Sequence, residues 1–346
     1  MFLSYCADSG RRRDCGPFNN TMRKFLVSAT RTDRFAEPWR EDVELVDEVE
    51  YVDTRTSKFR GRWRNYAQRW FELQFSIKVL FDSRQYNGFA VGRCGVWLPI
   101  LLRLSGQKKN VVLTEVEYRG GSGIIMRLAC LCSSAVLSFS REEIRRYSSH
   151  FKVPASKFLL QPAVYSNLFE TKDGGYVFAG GNQARDWPTF IRAVSDLLWP
   201  VQVVTSHRLG SLPKHVSVSG AVSPDEFNRR IAAASCVVVP TVAERFRITG
   251  MATWVTAMAL GKVLICTDPQ AAGDYFENGV SGFCVEHGDA IGLRNTIDMV
   301  MRDKDLRTRV GKAARERALR EFSPQRYRER VLQILDGKAN AATVPM

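Results

Sequence analysis

The sequence predicts an α/β protein made of two open parallel sheets covered by helices. Two observations point there. In the carboxy-terminal half, short apolar runs alternate with helical patterns about 10–12 residues long, which argues for a parallel sheet rather than hairpins. The chain of 346 residues is also long for one core and leaves ample apolar material for two.

The first 85 residues or so are irregular. Lys24–Ala29 is the candidate first strand, and Arg31–Glu41 after it offers no glycine for a close backbone approach to a ligand. Alternation sets in from Phe89. Val111–Thr114 and Ala135–Phe139 read as strands, and Leu98–Leu104, Ile124–Cys132 and Arg141–Tyr147 as helices. Further strands are expected at Tyr176–Ala179, Val201–Thr205, Val216–Ser219, Cys236–Val239 and Val263–Cys266. Helices at Pro188–Leu197, Pro224–Ala234 and Thr249–Leu260 fill the gaps. Pro188 and Pro224 stand where a first helical turn tolerates a missing N–H. Leu293, Ile297, Val300 and Met301 share one helix face, and Leu306–Arg320 is a charged, mostly exposed helix. A last helix, Pro324–Leu335, carries Tyr327, Val331, Ile334 and Leu335, and the tail Gly337–Met346 reads as disordered.

The net charge of +14 is uneven: residues 1–165 hold 27 Lys and Arg against 17 Asp and Glu. So basic an amino-terminal half favours an anionic partner such as a phospholipid surface, a polyprenyl phosphate or nucleic acid, or is simply a basic surface. The run Lys58–Phe71 interleaves cations with Trp63, Tyr66, Trp70 and Phe71. At helical spacing the first three share a face that fits anionic lipid, a core with snorkelling arginines, or single-stranded nucleic acid. No recognised nucleic-acid motif accompanies it, so nucleic acid is not expected as a partner. The eight cysteines lack paired spacing, and Cys130, Cys132 and Cys236 sit in apolar runs as buried thiols do. Neither a disulfide framework nor a metal site is indicated. No secretory signal or membrane-spanning run is read, and a cytoplasmic protein is expected.

Residues 236–288 carry the most information. A strand runs into Pro240 and a loop with Glu244, Arg245 and Arg247; a helix then opens at Thr249-Gly250, and a second strand comes after it. Strand, loop, helix, strand is the βαβ unit, whose ligand crevice lies at the carboxyl ends of the strands. A helix amino terminus and cations at that end suit a phosphate-bearing ligand. Thr249 is placed to cap the helix, leaving the amides of Gly250 and Met251 for a diphosphate. In Tyr176–Arg185, Gly180-Gly181 lets the backbone approach a ligand, Asn182 offers hydrogen bonds, and Arg185 offers a fork-shaped cation. The alternative there is a tight turn with a solvated arginine. Val216–Val222 is expected to end beside a base, with Gly220 allowing close approach and Ala221 or Val222 giving apolar contact. His207 and Arg208 come just after a neighbouring strand, and Arg208 is a second phosphate candidate. Glu115 and Glu117 alternate around Val116 after the strand VVLT, so that one faces the cleft as a base or electrostatic stabiliser, or both are solvated at a strand edge.

AMALGKVLICTDPQAAGDYFENGVSGFCVEHGDAIGL, residues 257–293, resembles the carboxy-terminal half of GT-B-fold, family 4-type (group 1) glycosyltransferases. The resemblance extends over most of residues 86–336 and is densest at 176–193 and 236–292. It implies two Rossmann-like domains facing a cleft: 1–165 on the acceptor side and 166–322 holding the donor. Gln161–Leu168 resembles the family's interdomain connection, and a helix at 323–336 crosses back to brace the first domain. It further implies a nucleotide-sugar donor such as a UDP-sugar and retention at the anomeric carbon, with no metal or cofactor. The implied acceptor is a lipid-linked or surface-glycan intermediate of polysaccharide synthesis at the inner face of a membrane. The family's donor loop pairs an Arg with a Lys five residues on; Gly180 and Arg185 stand at those positions, so one cation is missing. The family's Glu pair falls on Ile248 and Thr256, neither of them acidic. Glu244, four residues upstream, either swings into the sugar subsite or forms a solvated ion pair. Arg245 or Arg247 stands in for the missing cation, and Thr256 keeps one hydroxyl for the ribose. A non-catalytic nucleotide-sugar-binding or partner subunit is the alternative reading.

Overall fold

Cys236–Val239 (β10) is a fully buried run of Cys and Val, the composition of a central strand covered on both faces. In the computed structural model, which describes residues 25–28, 42–46, 52, 55–59, 62–114, 123–244 and 246–338, it lies between Val177–Gly180 (β7) and Val263–Cys266 (β11). With Val201–Val204 (β8), Val216–Ser219 (β9) and Phe283–Cys284 (β12) they form a six-stranded sheet, all parallel, in the order β12-β11-β10-β7-β8-β9. Strand order reverses between β7 and β10, and a ligand crevice opens at such a switch point.

Alternation along the strands divides the carboxy-terminal core. Phe178, Val237, Val239 and Leu264 pack under Trp254, Val255 and Met258 of helix Met251–Ala259. Val177, Ala179, Val238 and Ile265 face Phe190 of helix Trp187–Val194 and Leu293, Ile297 and Val300 of helix Ala290–Arg302. Pro188 and Pro224 lie in first turns as expected, with Asp186 and Ser223 as side-chain caps.

The first sheet has the order β2-β1-β3-β4-β5-β6, also all parallel: Phe25–Ser28 (β1), Val43–Val46 (β2), Gly88–Val91 (β3), Asn110–Leu113 (β4), Ala135–Ser138 (β5) and Phe158–Leu160 (β6). Leu26, Phe89, Val91, Val111 and Leu113 face a layer of three helices: Arg62–Phe81 (α1), Leu98–Leu104 (α2) and Gly123–Cys132 (α3). Arg141–Phe151 (α4) comes after β5. The opposite face, Phe25, Val27, Ala90 and Val112, would be bare without a distant segment. After α4 the chain continues through α5 (Trp187–Val194), α6 (Pro224–Ala233), α7 (Met251–Ala259) and α8 (Pro269–Tyr275). Then come α9 (Ala290–Arg302), α10 (Lys304–Glu321) and finally α11 (Pro324–Leu335). Helix α11 lays Val331, Ile334 and Leu335 on that bare face, and Asn110 Nδ2 donates to Leu335 O at 3.1 Å. The crossing-back helix implied by the resemblance is thus present.

Several elements differ from expectation. The strands β2, β3, β6 and β12 are not among those expected from the sequence; at two to four residues none shows alternation by itself. Thr249 does not cap α7. The cap position is Gly250, at φ +90° with no side-chain cap, because the chain turns there through a left-handed conformation that glycine accepts. Residues 31–40, 115–122 and 245, and the tail beyond Lys338, lie outside the described residues. Among the described residues no helix is long and apolar enough to cross a membrane. Cys130 and Cys236 are buried thiols, and burial pushes each up to about 12.

Candidate functional site

Strands β7 and β10 end side by side, and the loops leaving their carboxyl ends shape the site. After β7, Gly180 leaves no room for a side chain: a Cβ there would fall 2.4 Å from the ring of Phe227, which stacks edge-on against Phe178. Gly181 comes next at φ +122°, and a Cβ on it would strike the guanidinium of Arg185 at 2.5 Å. The arginine folds back over the glycine pair, donating from Nε to Gly180 O at 3.0 Å and from Nη1 to Gln183 O at 2.7 Å. Its loop is bonded to the end of β10: Asp186 N donates to Pro240 O and Val242 N to Ala184 O. Burial draws the Arg185 guanidinium down to about 10, so it remains a cation at neutral pH.

The amino end of α7 meets this cation. A Cβ on Gly250 would stand 3.4 Å from both Nη1 and Nη2 of Arg185, and 2.7 Å from Val239 Cγ1. The backbone of Gly250 therefore lies against the guanidinium. The first intrahelical bonds of α7 run from Thr253 N and Trp254 N to Gly250 O. By helix geometry the amides of Met251 and Ala252 have no acceptor within the helix. A fixed cation, a helix amino terminus and two glycines converge at the switch point, an arrangement that attracts and orients an anion.

Around this centre the other sequence candidates fall into three groups. Asn182 ties the β7 and β8 ends together: its Oδ1 accepts from Ser206 N at 2.7 Å, and its backbone O lies 2.7 Å from His207 Nε2. Its amide carbonyl is thus committed to the scaffold, while the donor role expected of it belongs to Nδ2. Arg208 is exposed beyond β8. Gly220 follows edge strand β9, two strands from β7, with nothing within 4 Å of where a Cβ would sit. Val222 is half-buried and packs against the core of the second sheet.

Glu244 and Arg247 pair with each other, Arg247 Nε donating to Glu244 Oε2 at 2.7 Å. The ion-pair reading of Glu244 is the one this geometry shows, and Arg247 is committed to it. Thr256 is buried on α7 with its hydroxyl 3.4 Å from Ser166 Oγ, which accepts from Asn228 Nδ2 at 2.8 Å. That hydroxyl faces Ser166, in the segment that the resemblance implied to connect the domains. Ile248 is buried in the core. Glu115, Glu117 and Arg245 lie outside the described residues.

The site also contains residues that local sequence patterns do not single out. Ser140 caps α4 by accepting from Glu143 N at 3.0 Å, and Glu143 reaches back to accept from Phe139 N at 2.9 Å. Its other oxygen accepts from Ile248 N at 2.9 Å, in the loop leading to α7. Arg146 Nη1 donates to Glu244 O at 2.8 Å, and the His150 and Phe246 rings meet at a tilt with centroids 4.6 Å apart. The β10–α7 loop is therefore docked on α4 of the first domain. Burial raises the Glu143 carboxyl to about 7 despite these two donors. The available signal is Ser140-x-x-Glu143, a capping box, but nothing local reveals that its glutamate also reaches another domain. Thr267 and His287 complete the floor: Thr241 N donates to Thr267 Oγ1 at 2.7 Å, and His287 Nδ1 lies 2.8 Å from Thr241 O. Among the described residues no group of three or more His, Cys, Asp or Glu converges to hold a metal.

Comparison with known proteins bears on the fold and on the family pattern. Residues 208–317, which span the β10–α7–β11 unit, match the family model of group 1 glycosyl transferases. No curated protein matches the chain by sequence. Sucrose-phosphate synthase from Thermosynechococcus elongatus superposes with a TM-score of 0.68 at 14% identity, over 91% of this chain and 99% of that one. HepE from Anabaena, solved in complex with UDP, gives 0.65 at 14% identity over 91% and 100%. A glycosyltransferase from Rickettsia africae gives 0.62 at 13% identity over 92% and 99%. The protein thus has the GT-B fold, and its carboxy-terminal domain carries the match to the group 1 glycosyl transferases that the sequence resemblance anticipated.

Proposed function

We propose that the protein is a nucleotide-sugar-dependent glycosyltransferase whose donor sits at the β7–β10 switch point. One observation carries this reading: the Arg185 guanidinium lies against Gly250 at the amino end of α7. Positive charge fixed at that place stabilises a departing diphosphate, which is the electrostatic work a sugar transfer demands. The HepE structures hold UDP and UDP-glucose on the same fold, so a UDP-sugar is the first donor to test. Retention at the anomeric carbon and independence of metal belong to the same reading, with Arg185 and the helix amides carrying the charge. We assign 1–165 to the acceptor and 166–322 to the donor. The acceptor is a lipid-linked or surface-glycan intermediate reached peripherally at the inner face of a membrane, in keeping with the basic first half.

A titration of UDP and a panel of UDP-sugars by calorimetry, alongside release of UDP in the presence of lipid-linked acceptors, tests the reading. Binding with turnover supports it; absence of binding to any nucleotide or nucleotide sugar removes it. A second reading, a nucleotide-sugar-binding subunit without turnover, is favoured by one specific arrangement. The positions of the family's Glu pair are Ile248 and Thr256, both buried, while Glu244 is paired with Arg247. Binding without release of UDP under all acceptors would select it.

A further inference from the structure

We propose that the outer surface of helices α1, α2 and α3 docks on an anionic phospholipid bilayer. The proposal rests on the peripheral location given above and assigns the face that serves it. Helix α1 already spends one side on the core, where Phe75, Ser76 and Val79 are buried. On the other side Trp63, Tyr66, Trp70, Ile77 and Phe81 fall, at 100° per residue, within a stripe about 60° wide. Their exposures are 74%, 68%, 57%, 37% and 81%. A second stripe runs along α3, Ile124, Leu128 and Leu131, and Leu104 at the end of α2 is 80% exposed between them. All three helices lie on one face of the first sheet, so these side chains belong to one outer layer.

Charge selects the occupant. Residues 58–109 contain eleven Lys and Arg against two Asp and Glu. Lys58, Arg69, Lys78, Arg84, Arg103 and Lys108 are exposed around the apolar stripes. Tryptophan and tyrosine settle at headgroup level, where their rings are apolar and their polar edges stay wet, and the surrounding cations meet lipid phosphates. The stripe is about as long as its 20-residue helix, roughly 30 Å, which suits a helix lying in the interface plane.

The test is co-sedimentation of the full chain with vesicles of equal parts phosphatidylglycerol and phosphatidylcholine. The protein is expected to pellet with these vesicles, to bind phosphatidylcholine alone weakly, and to release as salt rises. Trp63→Ala with Trp70→Ala lowers binding about tenfold or more. Because both side chains are exposed, an unchanged thermal unfolding curve shows that the fold survives. Brominated acyl chains quench tryptophan emission of the unaltered chain; the Trp63→Phe, Trp70→Phe variant still pellets but loses that quenching. No pelleting, or pelleting indifferent to the alanine changes, overturns the proposal. So does concentration-dependent self-association abolished by those changes without vesicle binding, which would give the face to a second copy of the chain. UDP titration of the same variants keeps donor binding, in the other domain, as a separate result.

Discussion

At the scale of single residues, Arg185 has the clearest task. It is bonded to Gly180 O and Gln183 O, so it is held in place before any ligand arrives, and its terminal nitrogens border the backbone of Gly250. Arg185→Ala is expected to weaken nucleotide binding about tenfold to a hundredfold, as loss of a charge-assisted contact does, measured by calorimetry. Arg185→Lys is expected to recover only part of this, since a point charge cannot hold two carbonyls and an anion together. Gly250→Ala tests the seat from the other side. It places a methyl in a left-handed conformation and 2.7 Å from Val239 Cγ1, a cost of about 1–3 kcal/mol in a denaturant titration. These two positions were legible because glycine after a strand, a helix start and an arginine are local signals. Glu143 was not: its acceptor role toward Ile248 spans 105 positions of sequence. Thr256 was legible in place but not in direction, because Ser166 and Asn228, which claim its surroundings, come from other elements.

At the scale of elements, α4 and α11 do work that their own sequences only half announce. Helix α4 begins with a capping box whose glutamate, lifted by burial to about 7 from an ordinary 4.5, also holds the loop before α7. Between those two values the folded chain keeps a proton that the unfolded chain has released. Stability from this group is therefore greatest below that window and falls as pH rises through it. The difference between the unaltered chain and Glu143→Gln is expected to shift by about 2 kcal/mol between pH 5 and pH 8. Urea titrations at both pH values read it, and the glutamine variant has the flatter profile. Helix α11 was visible as an amphipathic pattern and the resemblance implied that it braces the first domain, but the particular face it covers was not readable from the residues, since β1, β3 and β4 lie far away in sequence. Leu335→Ala removes a buried side chain from that contact and is expected to cost about 2–5 kcal/mol. The same distance effect hid β2, β6 and β12, which owe their existence to the neighbours they extend.

At the scale of the whole molecule, the fold class was legible because strand–helix alternation repeats and strongly limits topology, whereas the way the lobes meet was not. Apart from α11, the lobes are joined by a compact set of polar ties around α4 and α8. Arg141 N donates to Asp274 Oδ2 at 2.7 Å and its guanidinium pairs with the same carboxylate. Tyr275 OH donates to Phe139 O at 2.8 Å and accepts from Ala163 N at 3.1 Å. Neither tie touches Arg185 or Gly250, although Tyr275 OH also lies 3.2 Å from Met251 Sδ at the first residue of α7. Asp274→Ala with Tyr275→Phe removes both ties while leaving each sheet intact, at about 1–2 kcal/mol per lost bond. The double variant is expected to show a larger radius of gyration in small-angle scattering and faster proteolysis between residues 161 and 176. Nucleotide affinity should stay within about threefold, since a seat inside one lobe does not need the other. An unchanged radius with unchanged cleavage would mean that α11 alone sets the placement of the lobes. A large loss of affinity would mean that the docked β10–α7 loop transmits lobe position to the anion seat through Ile248 and Glu143.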